Sequence, residues 1–287
     1  MYSAKAQGRS CHVVFDRSMH TQAMRRLNLE NDLRRAIENQ EFRVYYQPIF
    51  SLENQEIYSF EALVRWQHPT QGLIMPGEFI PIAEETGLVT DIDLWVCQEA
   101  CNQLRIWQEK FSHLIQLKVN INFSGRHFIH GHFPEQIQQV MKRAAIQSQS
   151  LKIEITESTL IKNAHLSQDI LGQLRLNGFD VCIDDFGTGY SSLSYLHRFP
   201  INTLKVDRSF VSNLDEGDDK QEIIRAIVNL GLNLNLVVVA EGIETESQYL
   251  CLKALGCHYG QGYWFSKALP KEDATQLLLQ KYSLEGL

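Results

Sequence analysis

Residues 151–185, LKIEITESTLIKNAHLSQDILGQLRLNGFDVCIDD, show the strand–helix–strand alternation of this chain. LKIEIT is short, apolar and β-branched, and reads as a strand. From Ala164 to Asn177 the apolar residues fall at helical spacing, and Gly178 follows as a stop. FDVCIDD is a second strand. Two such strands joined through a helix form a parallel crossover unit, and parallel strands covered on both faces carry few polar residues. Glu154, Glu157, Asp184 and Asp185 stand at the ends of these two strands. An unpaired buried carboxylate costs several kcal/mol or more, so acids in these places need a neutralising partner.

The same alternation extends in both directions. Downstream, TLKVD is a strand, Gln221 to Leu232 a helix, LVVVAEG a strand, and Glu246 to Leu255 a helix closed by Gly256. HYGQGYWF is a last short strand and Lys271 to Gln280 a last helix. Upstream, LKVNINFS is a strand, Pro134 to Ala145 a helix, and PGEFIPIAEETG and Asp91 to Glu109 are helical. Before these, RVYYQPIFSL and EIYSFEALVRW flank the turn ENQ as an antiparallel hairpin, preceded by a helix from Arg25 to Gln40 with Leu29, Leu33 and Ile37 on one face. About eight strand units over roughly 250 residues fit a TIM-type barrel. An open doubly wound sheet is the alternative, but it gathers only the strand ends near its switch point. Acidic or amide residues end nearly every strand here, and a barrel brings all those ends to one face.

The chain has 287 residues, 44% hydrophobic, with a formal net charge of −7. That is ample for a core and leaves no basic footprint for duplex nucleic acid. No apolar stretch approaches membrane-spanning length, and MYSAKAQGRS lacks the apolar centre of a secretory signal. The six cysteines form no CxxC pair or zinc-like framework, and Cys97 and Cys101 read as small apolar residues of a helix face. A reducing cytoplasmic setting is expected.

Five segments place acids or amides at strand ends: Glu61 after IYSF, Asn122 in NFS, Glu154 and Glu157 in EITE, Asp184 and Asp185 in DDFGTG, and Glu241 after LVVVA. One or more divalent cations are the simplest neutraliser for so many carboxylates. Each residue also has a structural reading. Glu61 could simply pair with Arg65. Asn120 shares strand parity with Asn122, so pattern alone does not separate them. Glu157 could favour a helix N-terminus begun by Thr156 or Ser158. The two aspartates could be a capped turn, with Gly187 and Gly189 allowing tight turning. Alternatively, their side chains diverge and hold different cations. Lys205 could orient water or meet phosphate, or form an ion pair with Asp184 or Asp185. Asp207 could hold the turn before Arg208. Glu241 is a candidate base, with Glu244 behind it or capping a helix with Thr245.

Taken in order, YYQPIFSL, EALVRW, NFS, EITES, DDFGTGYSSLSYL, LKVDRSFV, VVAEGIET and QGYWFSK resemble the EAL family of cyclic di-GMP phosphodiesterases, from about Leu27 to about Gln280. The resemblance implies a (β/α)8 barrel with one antiparallel strand, and hydrolysis of cyclic di-GMP to linear pGpG with two Mg²⁺ or Mn²⁺ ions. It implies that Glu61, Asn122, Glu154 and Asp184 hold the first metal and Asp185 the second. Lys205 would contact the nucleophilic water and the metal cluster, and Glu241 would be the general base or the partner of the metal-bound water. Glu157 would steady the loop after Asp185. Arg65 would face a substrate phosphate, with Leu63 and Gln261 on the substrate side, and Glu244 and Asp207 would support these groups. It also implies pairing as a homodimer.

Residues 1–16, MYSAKAQGRSCHVVFD, are similar to the tail of a GGDEF diguanylate cyclase domain whose signature loop is absent. Residues 1–26 are therefore expected to be the residual tail and linker of an upstream GGDEF-like domain. Residues 27–287 are expected to form the EAL phosphodiesterase domain. The longer protein could be tethered to a membrane upstream.

Overall fold

A computed structural model describes residues 17–111, 114–188, 196–214 and 218–282. Strand β1 (Phe42–Ser51) runs back against β2 (Ile57–His68), the hairpin expected from the sequence. Its other edge meets β9 (Tyr259–Gly260), again antiparallel. Between them β4 (Lys118–Asn122), β5 (Leu151–Thr156), β6 (Asp180–Phe186), β7 (Thr203–Val206) and β8 (Val237–Ala240) follow in parallel from β2 to β9. The circle closes through β1: this is a TIM-type barrel of eight strands with one reversed. Two short strands lie outside the sequence reading. Strand β3 (Gly72–Ile74) folds back on the end of β2, and β10 (Leu269–Pro270) pairs with β1. Runs of two or three residues are too short to show a period.

The strands sort their residues by parity. Phe60, Val119, Ile121, Ile153, Val181, Ile183, Leu204 and Val238 are all buried, on the faces that alternate with the polar positions. The alternate positions are Ser59 and Glu61, Asn120, Lys152 and Glu154, Asp184, and Thr203 and Lys205, which are also buried. The first set packs under the helices, and the second fills the barrel interior. Packing is closed by helices α1 (Arg17–Glu38), α2 (Pro76–Thr86), α3 (Val89–Lys110), α4 (Phe133–Ala144), α5 (Ala164–Leu176), α6 (Asp218–Asn233), α7 (Glu246–Ala254) and α8 (Lys271–Tyr282).

Helix α1 begins eight residues before the expected start at Arg25 and runs through the expected domain boundary at residue 26. Leu29 and Leu33 are buried, as their spacing required. Arg25 pairs with Glu78, and Arg26 with Glu85, which ties this helix to α2. Residues 1–16, on which the GGDEF-like reading falls, lie outside the described residues, as does Gly189.

Candidate active site

Strand register assembles the site. Glu61 of β2 stands beside Asn120 of β4, Asn122 beside Glu154 of β5, and Thr156 beside Asp184 of β6. Lys205 rises from β7, and Glu241 and Gln261 follow β8 and β9 directly. All come from the C-terminal ends of the parallel strands, where a barrel collects its reactive groups.

Lys205 is fully buried and lies against four carboxylates. Its Nζ is 2.6 Å from Glu241, 2.9 Å from Glu154, 3.2 Å from Asp184 and 3.5 Å from Glu61. Asp185 is not among these partners, so the ion-pair reading applies to Asp184 alone of the two aspartates. Glu61 pairs with Lys205 rather than Arg65. Its two oxygens also accept from Asn122 Nδ2 at 2.6 Å and Gln261 Nε2 at 2.7 Å. Gln261 Nε2 reaches Glu241 at 3.0 Å as well, so it ties two acids together from above the last strand.

The charges do not balance. Burial would lower the Lys205 pKa, but the surrounding acids hold it well above the usual range. Burial would raise Glu61, but Lys205 and the two amide donors outweigh it and hold the carboxyl below its ordinary value. Burial, reinforced by Glu61 and Asp184, pushes Glu154 up to about 8 despite Lys205. Glu241 is pushed up too, by burial and then by Asp184 and Glu61. Burial and the charges of Asp184 and Asp207 raise Asp185 to about 6. One lysine leaves a surplus of negative charge, which holds protons on the acids unless cations take their place.

The donor set fits such cations. Oxygens of Glu61, Glu154 and Asp184 lie within 4.8 Å of one another, as do oxygens of Asp184, Asp185 and Glu241. The two groups share Asp184. Neighbouring residues of a regular strand point to opposite faces, so Asp184 and Asp185 should not meet. The pairing of β6 with β7 is irregular between Ile183 and Phe186, and Asp185 has a left-handed φ of 54°. This bulge turns both carboxylates to one mouth, correcting the expectation that they simply diverge. Asn122 stands beside the first group through its bond to Glu61. Its Nδ2 now faces Glu61, and its Oδ1 is the atom a cation would take.

The remaining expected residues take different places. Glu157 sits in the first turn of the short helix Glu157–Lys162, but its carboxylate accepts from the Gly187 amide at 3.0 Å. Thr156 occupies the cap position without a side-chain cap bond, so the simple capping reading is not what forms. Gly187 has φ of 96°, and a Cβ there would stand 2.8 Å from the Phe210 ring. Asp207 caps the helix Arg208–Val211 by accepting from the Ser209 amide, the turn-holding reading of this residue, while its charge still bears on Asp185. Glu244 pairs at the surface with Arg208 at 2.7 Å, while Thr245 and Gln248 form the capping box of α7. Leu63 and Gln261 line a cavity of about 260 Å³ over the acids. Arg65 is not part of that lining; its guanidinium lies 5.5 Å from the Tyr45 ring centre and donates to the Val64 carbonyl. Arg208 and Tyr263 do line it, and the sequence reading did not single them out. Their only signal was adjacency, Arg208 to LKVD and Tyr263 to QG.

A TIM-type barrel whose mouth presents two overlapping groups of carboxylates could hold divalent cations there. More particularly, the chain is a member of the EAL domain family, which matches residues 30–268. It is 43% identical over 272 residues to the bifunctional diguanylate cyclase/cyclic di-GMP phosphodiesterase MucR of Pseudomonas aeruginosa, an alignment covering 95% of this chain and 39% of MucR. It is 38% identical over 289 residues to the cyclic di-GMP phosphodiesterase NbdA of the same organism, covering 100% of this chain and 36% of NbdA. The chain thus spans well under half the length of these curated relatives. Among solved structures, the MucR phosphodiesterase in complex with c-di-GMP superposes with a TM-score of 0.83 at 42% identity, over 86% of this chain and 99% of that one. The EAL enzyme Bd1971 with cAMP and cyclic di-GMP bound gives 0.84 at 36% identity, over 89% and 69%. No helix among the described residues is long and apolar enough to cross a membrane.

Proposed function

We propose that this chain hydrolyses cyclic di-GMP to linear pGpG, using two Mg²⁺ or Mn²⁺ ions. The observation that carries this reading is the pair of carboxylate groups sharing Asp184, in a chain whose relatives include named cyclic di-GMP phosphodiesterases. Glu61, Asn122, Glu154 and Asp184 would hold one ion, and Asp185, with Asp184 and Glu241 close by, the other. Bound there, the ions supply charge neutralisation at the phosphodiester and a more acidic water.

The protein's own groups supply the rest. Lys205 holds Glu61, Glu154, Asp184 and Glu241 at fixed distances, so little reorganisation is needed as charge develops. Glu241, partly open to the cavity, takes the proton of the attacking water as the P–O3′ bond breaks, the proton goes on to the departing 3′ oxygen, and Gln261 fixes the Glu241 carboxylate relative to Glu61. Glu157 steadies the turn after Asp185 through the Gly187 amide. Leu63 and Gln261 meet the nucleotide at the cavity wall, and Arg65 faces a phosphate beyond it. That role requires the guanidinium to leave the Tyr45 ring.

The same proposal has the chain working in the cytoplasm as a homodimer beside an upstream GGDEF-like domain. It rests on the resemblance of residues 1–16 and of the family motifs, and sedimentation of the chain with and without cyclic di-GMP tests the dimer.

Chromatography of cyclic di-GMP incubated with the chain in Mg²⁺, Mn²⁺ or EDTA tests the activity. Metal-dependent appearance of pGpG is expected. Tight binding without product would instead make the domain a receptor.

A further inference from the structure

We infer that Asn120 is a positioning residue that holds the Glu154 carboxylate in place for a cation, a role that rests on the metal-dependent reading of the site. Asn120 lies on β4 on the same face as Asn122, one pleat deeper in the barrel. It is 1% exposed, and its backbone partners are Glu61 on one side and Lys152 on the other. Its Nδ2 donates to Glu154 Oε1 at 2.7 Å, while Lys205 Nζ holds Oε2 at 2.9 Å. Both oxygens of a fully buried glutamate are thereby tethered, one from the adjacent β4 and one from β7, across the barrel interior. A glutamate has three side-chain torsions, and two tethers of this kind leave it one arrangement.

The other half of the amide sharpens the argument. Asn120 Oδ1 is buried and has no hydrogen-bond partner. A buried acceptor left unmatched destabilises the fold, whereas an apolar residue of the same shape would avoid that cost. Among the described residues the bond to Glu154 is the one hydrogen bond this side chain makes. As a packing element Asn120 is therefore a poor choice, and its single polar contact is with an acid of the site. Groups that orient metal ligands typically change metal affinity about 10–100-fold when removed.

Calorimetric titration of the whole chain with Mn²⁺ alone tests this, using Asn120→Ala and Asn120→Leu with melting temperatures measured alongside. Leucine fills the volume and donates nothing, while alanine leaves room for a water to replace the amide. Mn²⁺ binding is expected to weaken about tenfold or more, with leucine at least as impaired as alanine. Stability should run the other way, because alanine leaves a cavity. Mn²⁺ affinity within twofold of wild type in both variants overturns the inference, as does a loss that follows melting temperature. Should the leucine variant not fold, the alanine variant decides alone. The measurement needs no nucleotide, so it separates two failures. Weakened Mn²⁺ binding in a wild-type background that cleaves no cyclic di-GMP contradicts the proposed function and leaves Asn120 in its role. Unchanged binding with intact cleavage contradicts Asn120 alone.

Discussion

Lys205 stands among more negative charge than it can neutralise, and the behaviour of single residues follows from that. Removing the ammonium while leaving Glu61, Glu154, Asp184 and Glu241 buried strips the shared partner from all four. Lys205→Met is expected to destabilise the metal-free protein by about 3–5 kcal/mol, measured by urea unfolding in EDTA. The sign of the pH effect is equally definite. Glu154 is raised to about 8, so the folded chain holds a proton that the unfolded chain has released. Its contribution is fully present below the ordinary carboxylate range and is lost as pH rises through about 8. Metal-free melting temperature should therefore fall between pH 5 and pH 8, a range fixed by the unfolded and folded values. Mn²⁺ binding near pH 7 should release protons, seen as a buffer-dependent heat in calorimetry. A heat independent of buffer would contradict this. At this scale the sequence was most legible where an acid stood within or just after an apolar run, as at Glu61, Glu154 and Glu241. It could not choose between Asn120 and Asn122, because both have the same parity and only the depth in the barrel separates them. For Asp207 it offered the turn before Arg208, and the cap on Ser209 is that reading.

Elements place these groups through a few local irregularities. The bulge in β6 brings Asp185 round to the mouth, and Glu157 holds the next turn by the amide of Gly187. Glu157→Ala frees that turn by removing the acceptor of the Gly187 amide. Turnover is expected to fall at least tenfold, about what one lost hydrogen bond to a charged group allows, with melting temperature little changed. A large loss of stability with normal turnover would contradict the assignment. Gly262 has the opposite character. A Cβ there would lie 2.1 Å from the Ile243 carbonyl oxygen, where the segments after β8 and β9 cross. Gly262→Ala is expected to cost about 1–3 kcal/mol and to shift Gln261 away from Glu61 and Glu241, lowering turnover as well. Urea unfolding and initial rates check the two effects together. Strand and helix types were readable from periodicity throughout the barrel. The bulge was not, since a string of residues reads the same whether or not its pairing slips.

For the molecule as a whole, the barrel explains how residues 200 positions apart, such as Glu61 and Gln261, come to share a hydrogen bond. The alternation of strands and helices, with an acid or amide at nearly every strand end, was enough to favour a barrel over an open sheet. The reversed β1 was visible as a hairpin. The polar interior beneath the site, with Ser59, Asn120, Lys152 and Thr203 all buried, was hidden because each is a single residue in an apolar strand. Ca²⁺ should support hydrolysis poorly, because its larger and looser coordination suits two closely spaced sites less well than Mg²⁺ or Mn²⁺. Equal initial rates in Ca²⁺ and Mg²⁺ would count against paired cations. The central claim is that Asp184 is shared between two cation sites and that Asp185 belongs to only one of them. Counting the Mn²⁺ ions bound per chain in wild type and in Asp185→Asn tests it most directly. Two ions in the wild type and one in the variant are expected; a single ion in both would contradict it.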